Sequence, residues 1–450
     1  MDTIAISGNG MDAQPVTAAK TPLSSWVGLA VMVAISVYAV VDRQVFILFA
    51  EAIRKDLGLN DTQLGMLQGL GLSLFGLVMV YPISWLADRH DRRKVIAICI
   101  FLWSIAVAGC GLAPTFLPLF VCASLVGIGE AGAGPAGLAM IPDLFPPHAR
   151  QLGNSVFAVA GRFGSAFGVW LTGLLIVLVE WARPMLPASV AALPEWRLCF
   201  FAAILFMPVA LVMALTLPQR TSGIEARLAR GDSKAERIWP YLRQHRTPFF
   251  GVIGAALLSG LGLVAVAGWV PIIAQRYYGQ TPKESGDWLA IMALITGIVG
   301  LLISQPLLRW LQPRAGLQTP IYVLVGTMVF SAATSGLIAT AQNVPQLYGY
   351  WGLQAVGLMI GAMILPTLLQ NMAPPPLRAR VFALYTLVNI TTAIGYILVG
   401  SLSDLLSGTP RGLLYAAMAV AVVCLTLSAL VYWLTRNSYA RLVEVVATME

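Results

Sequence analysis

The 450-residue chain is 58% hydrophobic and only 11% charged, against roughly 25% charged in an average soluble domain. This excludes an ordinary soluble protein and a disordered one, and the apolar runs are continuous rather than alternating, which excludes a transmembrane β-barrel. The net charge of +8 is spread along loops instead of forming a patch, so no nucleic-acid partner is expected.

Residues 1–24 are polar and small and lack the charged start and short apolar core of a signal peptide, so they read as a cytoplasmic N-terminal tail. Spanning helices are predicted near 26–50, 61–87, 93–114, 116–142, 149–180 and 196–217, each long enough for the ~20 residues a bilayer core requires. An arginine-rich hydrophilic stretch, 218–247, follows as a cytoplasmic linker. Six more helices are predicted near 249–275, 286–312, 319–340, 345–371, 378–405 and 411–436. The expected organisation is an N-terminal six-helix bundle over 25–217, a C-terminal bundle over 248–436 and a cytoplasmic tail over 437–450. With the N-terminus cytoplasmic, most of the 28 Lys and Arg fall in cytoplasmic segments, so the positive-inside rule puts both termini there. The run Phe145-Pro146-Pro147-His148-Ala149-Arg150 after the fourth helix is echoed by Ala373-Pro374-Pro375-Pro376-Leu377-Arg378 after the tenth. Two related helical halves are the architecture of carriers that rock around a central site.

Four ionisable residues are predicted deep in the membrane: Asp42 and Arg43 on the first helix, Glu130 on the fourth and Arg162 on the fifth. Each costs roughly 2.5–3.5 kcal/mol at the bilayer centre, so each should be paired or face water. Two readings stand: buried ion pairs that hold the first half together, or a titrating site. The second half carries only neutral polar groups at depth, with Gln354, Tyr385 and Asn389 as candidates to line a substrate cavity. A cavity charged on one wall and apolar on the other suits an amphiphile.

Other features read as structural. Gly127, Gly129 and Gly132 spell a dinucleotide fingerprint, but no strand precedes them, and close helix packing is their expected role. Asn60-Asp61-Thr62 reads as a chance glycosylation sequon. Trp103, Trp170, Trp269, Trp288, Trp351 and Trp433 read as interfacial anchors or lipid-facing packing. The five cysteines and three histidines show no ligand spacing, so no metal, cofactor or disulfide is expected.

Between the second and third helices stands Leu86-Ala87-Asp88-Arg89-His90-Asp91-Arg92-Arg93-Lys94. It is read as a charge latch, with Asp88, Arg89, Arg92 and Arg93 as a cytoplasmic gate. This run resembles the signature loop of the major facilitator superfamily, with Ser84 in place of the usual leading glycine. The matching loop of the second half keeps Arg309 but has Leu308 where an acid is usual. A closer resemblance is to the Spinster family of lipid transporters. It rests on Asp42-Arg43, Gly127-Ile128-Gly129-Glu130-Ala131, Asp143-Leu144-Phe145-Pro146 and Trp196-Arg197. The resemblance implies an all-α polytopic membrane protein of the major facilitator fold, with twelve transmembrane helices in two pseudo-symmetric six-helix bundles. It also implies Asp42 and Glu130 as proton-binding acids with Arg43 as their partner. One departure stands out: Ala123 occupies the position where relatives place an arginine, so Arg43 or Arg162 takes over the pairing, or coupling is altered, or this copy carries a substitution there.

The expected function is proton-coupled secondary transport of an amphiphilic lipid, of lysophospholipid or sphingoid type, by alternating access. Proton-coupled symport of small organic anions is the alternative. An enzyme is not expected, since no intramembrane histidine or aspartate pair is present. The expected setting is a bacterial-type inner membrane, with a monomer contacting substrate, protons and bilayer lipid.

Overall fold

The computed structural model describes residues 22–145, 149–205, 207–216, 238–374, 377, 381 and 390–448, and the regular elements among them are all helical. The first half comprises α1 (Leu23–Leu48), α2 (Asp61–Met66, Leu67–Leu74 and Phe75–Arg89), α3 (Arg92–Leu112), α4 (Phe116–Leu144), α5 (Arg150–Ala182) and α6 (Glu195–Ile204 and Met207–Leu215). The second comprises α7 (Arg246–Ala267), α8 (Pro282–Ala315), α9 (Thr319–Ile338), α10 (Val344–Asn371), α11 (Ile390–Leu405) and α12 (Gly412–Ala447). The twelve spans bring Leu23, at the start of α1, and Ala447, at the end of α12, to one membrane face, called the terminal side below; the opposite face is the far side. Most of the linker proposed over 218–247 lies outside the described residues, which resume with the helix Ile238–Gln244.

Helix starts follow from side chains that satisfy the free amides of the first turn. Asn60 and Gln63 form a capping box at the start of α2, and Thr281 and Glu284 form another at α8. Gly58 and Gly279, at φ +63° and +68°, end short far-side helices where a side chain would be strained.

Two boundaries differ from the sequence expectation. The seventh span breaks at Gly268–Trp269, and the chain restarts as Val270–Tyr278 with Pro271 in its first turn. The Tyr396 ring of α11 fills the space a side chain at Gly268 would need. At the other end, α12 runs on to Ala447, beyond the tail boundary at 437. Tyr439, Leu442 and Val446 recur at helical spacing and are buried with Phe249 and Met372.

The tryptophans divide. Trp170 and Trp433 are exposed, Trp170 where it lines a cavity between the halves. Trp103 and Trp269 are fully buried and Trp351 nearly so, which corrects their reading as anchors: they fill the core. The Trp–Arg pairs that do mark the terminal-side interface are Trp85–Arg89 and Trp433–Arg436, each 4.1 Å apart, and Trp310–Arg314 at 4.9 Å.

The halves meet along α2 with α11 and along α5 with α8. Glycine makes the first seam close. A Cβ at Gly69 would lie 2.5 Å from the Ala393 carbonyl oxygen, and one at Gly65 would strike the Tyr396 carbonyl.

Candidate transport site

Glu130 lies 14 residues from either end of α4, so at 1.5 Å per residue it sits about 21 Å from both, near mid-depth. Close packing brings the surrounding helices to it. A Cβ at Gly127 would stand 2.7 Å from the Leu72 carbonyl oxygen, and one at Gly129 would stand 2.5 Å from Trp103 Cβ. This is the packing role expected for the glycines of that motif.

Arg43 Nη2 donates to Glu130 Oε2 at 3.0 Å and to the Leu72 carbonyl at 3.2 Å. The Arg43 side chain is 40% exposed and that of Glu130 12%, so the pair is open on the arginine side. Asp42, its neighbour in sequence, points elsewhere. It is fully buried beside Tyr38 and Trp103, whose rings lie 5.2 Å apart. Among the described residues Arg43 therefore bonds one of the two acids and not both. The reason is rotational: successive residues on a helix point 100° apart, so Asp42 and Arg43 serve different faces.

The acceptor at Leu72 comes from an unusual stretch. Leu67–Leu74 of α2 is π-helical, a wider winding with i→i+5 bonding that is rare and concentrated at functional sites. Ala123 packs here. It is fully buried, and a Cβ on Gly71 would sit 3.4 Å from its own Cβ.

The other expected residues divide. Arg162 lies on α5, but its side chain is outside the described ones, as are those of Asp88 and Arg92; Tyr385 and Asn389 are outside the described residues altogether. Arg89 stacks on Trp85 at 4.1 Å, and Arg93 pairs at 3.1 Å with Asp91, which caps α3. Gln354 is a correction. It is 1% exposed and donates to Ser335 Oγ of α9 at 2.9 Å, so it ties two helices of the second half together instead of lining a cavity.

A cavity of about 1120 Å³ opens between the halves, lined by Asp287 of α8 and otherwise by apolar residues including Val33 and Val37 of α1, Phe167 and Trp170 of α5, and Ile291 and Leu294 of α8. Neither Arg43 nor Glu130 is among its described lining residues. Val37 stands six residues before Arg43, about 9 Å along α1.

The far side carries a second charge cluster that sequence reasoning missed. Arg276 of the second half donates to Glu51 at 2.8 and 3.1 Å and to Asp61 at 2.7 and 2.8 Å. Arg54 bonds Glu51 from the other side at 2.9 Å, and Lys55 faces it at 3.8 Å. Ser403 of α11 donates to Asp61 at 2.6 Å, and Asp404 accepts from the Asp61 and Thr62 amides at 3.0 and 2.9 Å. Burial alone would raise the Glu51 carboxyl, but the bonds from Arg54 and Arg276 outweigh it and hold it below its ordinary value. Every contact from Arg276, Ser403 and Asp404 to this cluster joins one half to the other, so the far side is latched shut.

A profile of the Major Facilitator Superfamily matches residues 29–389. The chain belongs to that superfamily. It is 26% identical over 434 residues to an MFS-type efflux pump of Mycolicibacterium smegmatis, covering 93% of this chain and 94% of the relative. It is 24% identical over 429 residues to protein spinster homolog 3 of Danio rerio, covering 89% and 82%. In structure it is similar to a bacterial homolog of the human lysosomal transporter Spinster in an inward-facing, unoccupied conformation. That likeness has a TM-score of 0.72 at 19% identity over 95% of this chain and 98% of the other. The chain is thus a multi-pass membrane transporter of the major facilitator fold and not an enzyme, as its Spinster-like residues imply.

Proposed function

We propose that this transporter couples proton movement to the passage of an amphiphile of lysophospholipid or sphingoid type, with both termini in the cytoplasm. The observation that carries the reading is the Arg43–Glu130 pair at mid-depth, set about two turns along α1 from a large apolar cavity between the halves. The cavity takes the tail. Arg43, left partly exposed by its ion pair, takes an anionic head group.

The mechanism follows from competition for one guanidinium. When Glu130 accepts a proton, its carboxylate becomes a neutral acid and the charge-assisted bond to Arg43 is lost. Arg43 is then available to the head group. When the proton leaves, the carboxylate reclaims the arginine and expels the anion. The Glu130 carboxylate and the substrate thus compete for one partner, so proton and substrate each change the other's affinity by the same factor. Asp42, buried one residue away beside Tyr38 and Trp103, is proposed as a second proton-binding acid that acts without bonding Arg43.

The test is flux of a fluorescent lysolipid in proteoliposomes under an imposed pH gradient, for the unaltered chain and Glu130→Gln. The gradient should drive the former, and the substitution should leave flux indifferent to the gradient. Flux driven equally well through Glu130→Gln would refute the coupling. Lysolipid that never moves, with a small dicarboxylate that does, would replace the amphiphile by an organic anion on the same arginine.

A further inference from the structure

The central ion pair and the far-side latch are joined by one element. α2 begins in the latch at Asp61 and passes Arg43 at Leu72, which lies inside its π-helical stretch Leu67–Leu74. We propose that this π-helical stretch is the mechanical link through which the Arg43–Glu130 pair holds the far-side latch closed.

The argument starts from backbone bonding. A π-helical turn carries one more residue than an α-turn in its place, and its bonding geometry is poorer, so it persists only where outside contacts favour it. Here Arg43 supplies such a contact: the Nη2 that meets Glu130 at 3.0 Å also donates to the Leu72 carbonyl at 3.2 Å. The part of α2 below this point is fixed to α4, because a Cβ on Gly76 would lie 2.5 Å from the Gly127 carbonyl oxygen. The part above packs chiefly on the second half, through Gly65 and Gly69 against α11 and through Asp61 on Arg276, while Gly71 keeps it against Ala123 and Phe120 of α4. Shifting the bonding by one residue toward an ordinary α-helix turns the upper part by about 100° relative to the lower. That rotation carries Asp61 off Arg276, and Gly65 and Gly69 off α11. Loss of the Arg43 contact at mid-depth is thereby converted into release of the latch.

The inference rests on the proposed role of the central pair, but it is read by conformation and not by flux, so either can fail alone. Spin labels on Ala188→Cys and Ser407→Cys, both exposed far-side positions in opposite halves, report latch closure in the full chain with its native cysteines replaced by alanine. Arg276→Leu should lengthen the distance, and its failure to do so would remove the latch and the proposal with it. Arg43→Leu should raise the open population at least about tenfold, the size expected for losing one charge-assisted bond. Deleting Leu70 removes the extra residue and lets α2 run as an α-helix with both flanks in place. In that background the latch should stay closed and Arg43→Leu should have no further effect. An unchanged distance on Arg43→Leu, or the same shift with and without the deletion, would overturn the link. Should the deleted chain not fold, amide exchange across 67–74 decides: it should quicken in Arg43→Leu, and unchanged exchange sinks the proposal.

Discussion

Asp404 caps α2 from across the molecule, accepting the Thr62 amide at 2.9 Å and the Thr62 hydroxyl at 2.6 Å. A helix N-terminus normally finds its cap within its own chain segment, as α2 also does in Asn60. Here an acid of the second half supplies a further acceptor and places its charge at the positive end of the helix. Losing an N-cap acceptor costs roughly 0.5–2 kcal/mol. Asp404→Ala should therefore shift the closed–open equilibrium toward open by about 2- to 30-fold, read as a longer Ala188–Ser407 label distance. Asp404→Asn keeps an acceptor and should shift it less.

Acid on the far side should open the same latch, with a sign set by Glu51. Its carboxyl is held below the ordinary value in the closed state because Arg54 and Arg276 bond it against the opposing effect of burial. Lys55 at 3.8 Å is a third cation facing it, and Asp61 is the neighbouring acid on Arg276. In the open state Glu51 loses Arg276 and moves back toward an ordinary glutamate, about 4.3. Its contribution to closure is thus complete above that pH and is lost as pH falls through the lower closed-state value. Closure measured against far-side pH should be flat from neutral to about 5 and weaken below about 4. Glu51→Gln should weaken closure at neutral pH and flatten the acid response. An acid response that Glu51→Gln leaves intact would assign the effect elsewhere.

The amino-acid sequence exposes some of this arrangement and hides the rest for definable reasons. Asp42, Arg43 and Glu130 stand out because charges are rare in apolar runs. Which acid Arg43 takes depends on helix rotation and partner position, and periodicity in a nearly uniform apolar helix fixes neither. The same limit misplaced Gln354, which turns toward Ser335 on α9. The latch was invisible for a different reason. Glu51, Asp61 and Arg276 sit at polar helix ends, where charges are ordinary, and Asp61 and Arg276 are 215 residues apart. Asn60-Asp61-Thr62 was legible only as a chance sequon, yet the fold uses Asn60 as a cap, Asp61 as an ion-pair partner and Thr62 as a donor to Asp404. The π-helical stretch Leu67–Leu74 has no compositional mark, and the Arg43 side chain that meets its Leu72 carbonyl comes from another helix.

Gly69→Ala tests the seam between the halves. The added methyl would lie 2.5 Å from the Ala393 carbonyl oxygen and 3.0 Å from its Cα, both backbone atoms that cannot swing aside. Closure then requires α2 and α11 to separate, at a cost of about 1–3 kcal/mol typical of overpacking. The Asp61 and Thr62 amides, protected by Asp404 in the closed state, should exchange roughly 5- to 150-fold faster. Gly58→Ala, in open space but at φ +63°, strains only its own turn and should leave those two amides protected. Equal protection in Gly69→Ala would mean that the seam is looser than its geometry.

Ala123→Arg restores the residue that Spinster-like sequences place on α4, and the structure predicts no gain from it. Position 123 is fully buried against Gly71 of the π-helical stretch, with 3.4 Å between the Ala123 Cβ and the space a Gly71 Cβ would fill. A guanidinium has no room there. Entering it displaces α2, with an overpacking cost of about 1–3 kcal/mol added to roughly 2.5–3.5 kcal/mol for a charge at depth. Glu130 already has Arg43 at 3.0 Å, so the new cation finds its natural partner engaged. The expected result is a lower melting temperature in detergent and gradient-driven flux no higher than that of the unaltered chain. Combining it with Arg43→Leu makes the discrimination sharper. If position 123 can serve Glu130 at all, the double variant should recover flux lost in Arg43→Leu. If Arg43 is the partner because α2 fills the alternative position, the double variant should stay as inactive as the single one.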